Sequence, residues 1–253
     1  MKTGVQLWTL REYCTNLSDF SETLKKVADM GFKSVQVSGT CDYEPEWLSE
    51  QLRANGLVCP ITHYDVNKLI NDPIGTAKKH DIFQCHSIGY GGKHNRPEGY
   101  DEILSSIGDA AQKIYNSGKQ FTYHHHSWEY QSTTADGSNL MQYLSDTFSA
   151  EQMHFTLDTY WVKYAGFDVS SEIKRLSGRI RCVHIKDMLI LPNGEKQMCF
   201  IGGGNCMNFE KLLQEFSDSA TEYALVEQDD CYGNNPFEEL KKSFDYLKSI
   251  GLK

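Results

Sequence analysis

Tyr123-His124-His125-His126-Ser127-Trp128-Glu129 places three imidazoles in a row behind Gln120-Phe121-Thr122. If the run is a strand, side chains alternate, so His124 and His126 share a face with Thr122 and His125 points away. A buried imidazole needs a partner for each ring nitrogen, and packing alone accounts poorly for three together. Neutral imidazole is also the commonest metal ligand. Three further short apolar runs end in polar groups: Leu157-Asp158-Thr159, Val183-His184-Ile185-Lys186 and Val226-Glu227-Gln228. His, Asp, His and Glu form a mixed donor set that suits Mn²⁺, Fe²⁺, Co²⁺ or Zn²⁺ better than Ca²⁺. Alternation also puts Lys186 on the face of His184, where its ammonium would meet an oxyanion beside a metal. Each residue has a plainer role to weigh against this one. The histidine run suits a solvated loop, Asp158 a cap, His184 a bond to the next strand end, Glu227 a solvated acidic cluster, and Lys186 a rim lysine with its stem buried.

Such groups converge only if the elements that carry them are arranged in a ring. Strand-like runs are expected at 4–8, 34–38, 58–62, 82–86, 120–126, 154–158, 180–184 and 223–227. Helical stretches separate them at 18–30, 45–55, 70–79, 100–117, 140–147, 169–176 and 209–216, and a last helix spans 236–250. Eight alternating units in one domain over 1–253 predict a single (β/α)₈ TIM barrel, an α/β fold. The main rival, a doubly wound sheet, lacks its G-x-G-x-x-G after the first strand. Barrel chemistry gathers where strands end. That makes Trp8 and Trp161 candidate apolar walls for substrate, with packing as their other role. His63 and His86, which end the expected third and fourth strands, become candidates for substrate hydroxyls, as does Glu129, otherwise a surface charge at a helix start. Gly202-Gly203-Gly204-Asn205 lies where many barrels bind phosphate. No lysine or arginine clamp accompanies it, so a phosphorylated substrate is not inferred.

Composition narrows the function classes. The 253 residues carry a net charge of −9 and a pI of about 5.5, which argues against a sequence-independent nucleic-acid binder. Eight scattered cysteines without a C-x-x-C pair are expected to be reduced. Met1 leads straight into a strand-like run, and no apolar stretch is long enough to cross a bilayer. These features fit a cytoplasmic protein without membrane partners.

The four segments Tyr123-His124-His125-His126, Leu157-Asp158-Thr159-Tyr160-Trp161, His184-Ile185-Lys186-Asp187 and Val226-Glu227-Gln228-Asp229 resemble the strand-end signatures of the sugar phosphate isomerase/epimerase superfamily. This group of xylose-isomerase-like TIM barrels includes inosose dehydratases and endonuclease IV. The resemblance runs from Val5-Gln6-Leu7-Trp8 to Asp245-Tyr246-Leu247. It implies one divalent metal, Mn²⁺ first, with Zn²⁺, Co²⁺, Fe²⁺ or Mg²⁺ as substitutes. Asp158, His184 and Glu227 match its ligands. His124 stands at the strand-five glutamate of the ketose epimerases, with His126 as the substitute ligand, and Trp161 replaces the histidine of their D-x-x-H. The implied activity is a sugar isomerase or epimerase that abstracts a proton α to a carbonyl. Glu227 and a strand-five histidine would move the proton and Lys186 would stabilise the oxyanion. Two alternatives stand beside it. One is a ketosugar or inosose dehydratase, a lyase working by β-elimination at the same site. The other is a non-catalytic carbohydrate-binding barrel. An endonuclease IV-like reading needs further metal-binding histidines, one of which Trp161 replaces. The expected partner is a small carbohydrate, and a homo-oligomer is compatible with the resemblance.

Overall fold

The computed structural model describes residues 1–92, 99–134 and 137–252. Its centre is built from β1 (Lys2–Gln6), β2 (Ser34–Gln36), β3 (Ile61–His63), β4 (Ser87–Gly91), β5 (Gln120–His124), β6 (His154–Asp158) and β7 (Cys182–Ile185). A hairpin of β8 (Asp187–Ile190) and β9 (Lys196–Cys199) follows, and β10 (Tyr223–Val226) supplies the eighth barrel strand. The barrel strands are parallel and bonded in the order β2-β1-β10-β7-β6-β5-β4-β3. The two edges meet where Ser34 bridges Val58 and Val37 bridges Thr62, and His63 N–H donates to Val37 O at 2.9 Å. The sheet is therefore closed into the (β/α)₈ barrel expected from the alternation of elements.

Helices fill the connections: α1 (Leu17–Met30), α2 (Pro45–Ala54), α3 (Val66–Asn71), α4 (Pro73–Ile82), α5 (Tyr100–Asn116), α6 (Trp128–Gln131), α7 (Leu140–Thr147), α8 (Thr159–Tyr164), α9 (Val169–Arg175), α10 (Phe209–Asp218) and α11 (Pro236–Ser249). α1 shows why they form. Asn16 caps it by accepting from Asp19 N–H, Phe20, Leu24 and Val27 make one buried stripe, and Gly31 ends it at φ +110°. Each such buried apolar side chain contributes about 1.5–3 kcal/mol.

The register positions the site. Ile61, Cys182, Tyr223 and Leu225, from three strands that are not consecutive in the chain, pack together inside the barrel. Two residues further along β3 and β7 the same faces carry His63 and His184, and β10 leads on to Glu227. The interior thus changes from apolar to polar toward the strand C-termini.

Two expectations about elements need correction. The stretch 82–86 is not the fourth strand: α4 runs through Ile82, Phe83 ends it, Gln84 adopts φ +56°, and the strand is Ser87–Gly91. Its glycines mask a strand pattern, yet geometry requires them. A Cβ on Gly89 would lie 2.4 Å from Thr62 O, and one on Gly91 would lie 2.4 Å from His63 Nδ1. The helix expected at 70–79 is two helices divided at Asp72, whose carboxylate caps α4 through Gly75 N–H. The hairpin β8–β9 and the short α8 have no counterpart among the expected elements.

Candidate metal and substrate site

Asp158 and His184 are register partners on β6 and β7, so their side chains emerge side by side. His124 ends β5, and Glu227 follows β10 directly, its N–H donating to Ile185 O. All four are buried, and one ligand atom from each fits in a group whose members lie within 4.8 Å of one another. His184 Nδ1 is 2.9 Å from Glu227 Oε2 and 3.9 Å from Asp158 Oδ2, and His124 Nε2 is 3.5 Å from Asp158 Oδ2.

Hydrogen bonds behind these groups fix their orientation. His184 Nε2–H donates to Gln36 Oε1 at 2.6 Å, which turns the Nδ1 lone pair toward the carboxylates. Asp158 divides its oxygens: Oδ1 caps α8 by accepting from Trp161 N–H, while Oδ2 faces His124 and Lys186. Capping and a site position are therefore compatible in one residue. β5 ends at His124, short of the expected 126, and His125 points away from the chamber. Its Nδ1–H donates to His126 O, and its Nε2 accepts from Asp158 N–H at 3.0 Å, so it braces two site strands.

Lys186 is buried at 1% exposure, which rules out a rim lysine. Its Nζ lies 3.0 Å from both Asp158 Oδ2 and Glu227 Oε2, and 2.9–3.0 Å from both Asp229 oxygens. Burial works to lower its pKa, but the three carboxylates outweigh that and hold it well above the ordinary lysine value. Burial opposes ionisation of Glu227 as well, yet the Lys186 ammonium keeps it well below the usual carboxylate range. Burial, reinforced by neighbouring imidazoles, drives His124 well below its ordinary pKa and His63 down to about 3. Both are neutral at pH 7 and able to donate a lone pair.

Whether these residues fit a cation is testable on unpartnered atoms. His184 Nδ1 is buried without a well-formed hydrogen bond and faces Glu227 Oε2 at 2.9 Å, and His124 Nε2 has Asp158 Oδ2 no nearer than 3.5 Å. Leaving such groups unsatisfied is costly, and a divalent ion relieves lone pairs that face one another. Two imidazoles and two carboxylates make a donor set that fits a divalent transition ion.

A chamber of about 400 Å³ opens above the four donors. Trp8, His63, His124, His126, Lys186 and Glu227 line it, together with Gln6, Ser38 and Asp229. Arg11 steadies one wall: its guanidinium stacks 4.9 Å from the Trp8 ring centroid and donates to Trp8 O and Asp229 O. Trp161 stands beside the chamber, 5.5 Å from the His126 ring and 5.4 Å from Lys186 Nζ.

Two candidate residues lie elsewhere. His86 is exposed and precedes β4, at the opposite end of the barrel from the donors; its expected place depended on the misplaced fourth strand. Glu129 is neither a surface charge nor a chamber wall. It is fully buried, accepting from Tyr123 OH and from His126 N–H, and burial pushes it up to about 8. The Gly202-Gly203-Gly204 run is also spent within the protein: Gly202 and Gly204 N–H both donate to Asp187. Asp229 escapes a reading of the sequence because the run Glu227-Gln228-Asp229-Asp230 looks like solvated acid. Its spacing of two from Glu227 is the signal that could have found it.

Residues 24–250 match the family model described as xylose isomerase-like TIM barrel. Among curated relatives, an inosose dehydratase of Mesomycoplasma hyopneumoniae (strain J) is 27% identical, with 99% of this chain and 96% of that protein covered. The same enzyme of strain 7448 matches at 27% identity over 60% of this chain, so here the chain spans about half the length of its relative, 54%. Among solved structures, a sugar phosphate isomerase/epimerase from Parabacteroides distasonis superposes with a TM-score of 0.80 at 18% identity, covering 99% of this chain and 94% of that one. The IolI protein with a bound zinc atom superposes at 0.72 and 14% identity, covering 99% and 98%. At these identities the superpositions establish the fold. The relatives are enzymes, and among the described residues no helix is long and apolar enough to cross a membrane.

Proposed function

The chain belongs to the xylose isomerase-like TIM barrel family, and from that premise we propose that it is a divalent-metal-dependent dehydratase of a keto-polyol or ketosugar. This reverses the order of the two reactions implied by the resemblance, in which isomerisation stands first. The observation that carries it is Lys186: a buried ammonium, 3.0 Å from Glu227, standing where a chamber wall meets the donor group. Epimerisation calls for two matched bases, and strand five offers an imidazole in place of the epimerases' glutamate. β-Elimination instead needs one base and one acid, which is what the chamber supplies. The similarity to inosose dehydratases supports the same reading.

His124, Asp158, His184 and Glu227 would hold the metal, which when bound polarises a carbonyl oxygen of the substrate. His126, which lines the chamber but is not one of the four donors, takes the proton α to the carbonyl. Lys186 gives a proton to the hydroxyl on the β carbon, which departs as water as the carbon–carbon double bond forms. Exchange with solvent then restores both residues. His63 and Trp8 bound the sugar, a polar group and an apolar face of the kind carbohydrate sites combine.

NMR of candidate inososes and ketosugars in D₂O, with and without Mn²⁺, tests this. Loss of water to an enone or diketone is the expected result. Deuterium at the α carbon with the sugar intact or epimerised would instead make the protein an isomerase. Carbohydrate binding with neither outcome would leave a binding barrel.

A further inference from the structure

Lys186 divides its bonds between two kinds of carboxylate. Asp158 Oδ2 and Glu227 Oε2, each 3.0 Å from Nζ, belong to the four-donor group. Asp229 does not, yet both of its oxygens lie within 3.0 Å of the same nitrogen. Its backbone is pinned from two sides, with Asp229 O accepting from Arg11 and Asp229 N–H reaching Met198 Sδ. A cation that draws on Asp158 and Glu227 competes with the ammonium for the same lone pairs, and like charges a few ångströms apart in a buried site repel strongly. Geometry shows where the ammonium goes: of the three carboxylates around Nζ, Asp229 is the one outside the four-donor group. Removing Asp229 would leave the loaded site with excess positive charge and the ammonium without a partner.

We propose that Asp229 is a positioning residue that holds the Lys186 ammonium when a divalent cation takes Asp158 and Glu227, so that lysine and metal share one charge balance. The inference rests on the metal-site reading above. It makes Lys186 an internal competitor of the metal and Asp229 the group that relieves the competition. Asp229 also faces the chamber, so the transfer leaves the ammonium aimed at substrate.

Mn²⁺ affinity, measured by calorimetry on the full chain, tests the inference through the sign of two effects. Asp229→Asn is expected to weaken binding about tenfold or more, and Lys186→Met to tighten it by a similar factor. In the Lys186→Met background Asp229→Asn should lose most of its effect, because no ammonium remains to be held. If Lys186→Met alone does not fold, the double variant removes one charge of each sign and is compared with Asp229→Asn. Tighter binding by the double variant than by Asp229→Asn supports the inference in the same way. A merely structural role would weaken binding in every variant, and that result overturns the inference. Equal affinities across variants that all bind Mn²⁺ overturn it while sparing the metal site. No Mn²⁺ binding by any of the four proteins overturns both.

Discussion

His80 and His124 are both buried histidines with lowered pKa values, and they sit in opposite circumstances. His80, on α4, donates from Nδ1 to Thr76 O and accepts at Nε2 from Thr62 Oγ1, both at 2.8 Å. Burial lowers it to about 4, and the protein satisfies it completely. His124 has an unpartnered Nδ1, an Asp158 oxygen 3.5 Å from Nε2, and the His184 and His63 rings at 4.5 and 5.0 Å. Burial and a lowered pKa therefore do not separate the two. Convergence does: His80 has a partner for each ring nitrogen, while His124 faces an Asp158 oxygen and the His184 ring.

The contrast breaks most sharply at the donors. Glu227→Gln is expected to lower kcat/KM about 10³-fold, on the order of 4 kcal/mol, while thermal unfolding stays cooperative; a variant with near wild-type kinetics would remove Glu227 from the chemistry. His80→Ala should do the reverse, costing about 3 kcal/mol in urea unfolding and leaving Mn²⁺ affinity intact. A loss of metal binding there would erase the distinction between the two environments.

Cation binding should then stabilise the wild type by about 2.7 kcal/mol at a hundredfold excess over Kd. His184→Asn should abolish that shift and His80→Ala should preserve it, both measured by thermal denaturation with Mn²⁺ or a chelator. The brace beneath the site gives a smaller, pH-dependent effect. Glu129 has its pKa raised to about 8 in the fold, so its contribution is complete below the unfolded value near 4.5 and is lost as pH rises toward and through 8. Glu129→Gln should flatten the fall of stability between pH 5 and 8 in urea unfolding; an unchanged slope would mean the carboxyl titrates normally. The smallest effect is expected at Gly91→Ala, which crowds His63 and should cost about tenfold in kcat/KM or less, roughly 1 kcal/mol. A larger fall would show that His63 is closer to the chemistry than a wall.

The sequence determined the barrel and which polar side chains stand at the ends of its strands. Alternating apolar runs and amphipathic stretches imply the ring, and period-two alternation puts His124 and His126 on one face with His125 on the other. Asp158, His184 and Glu227 were legible because each ends a strand run. What the sequence could not supply was distance across the ring. The fourth strand hid behind glycines whose reason is a neighbour, His63, in another strand. Glu129 looked like a surface charge until Tyr123 and His126 closed over it, and His86 looked like a site residue until the strand moved past it. Lys186 and Asp229 show the limit most clearly. They are 43 positions apart, and an ion pair between them depends on the closing of β7 against β10, which only the tertiary structure decides.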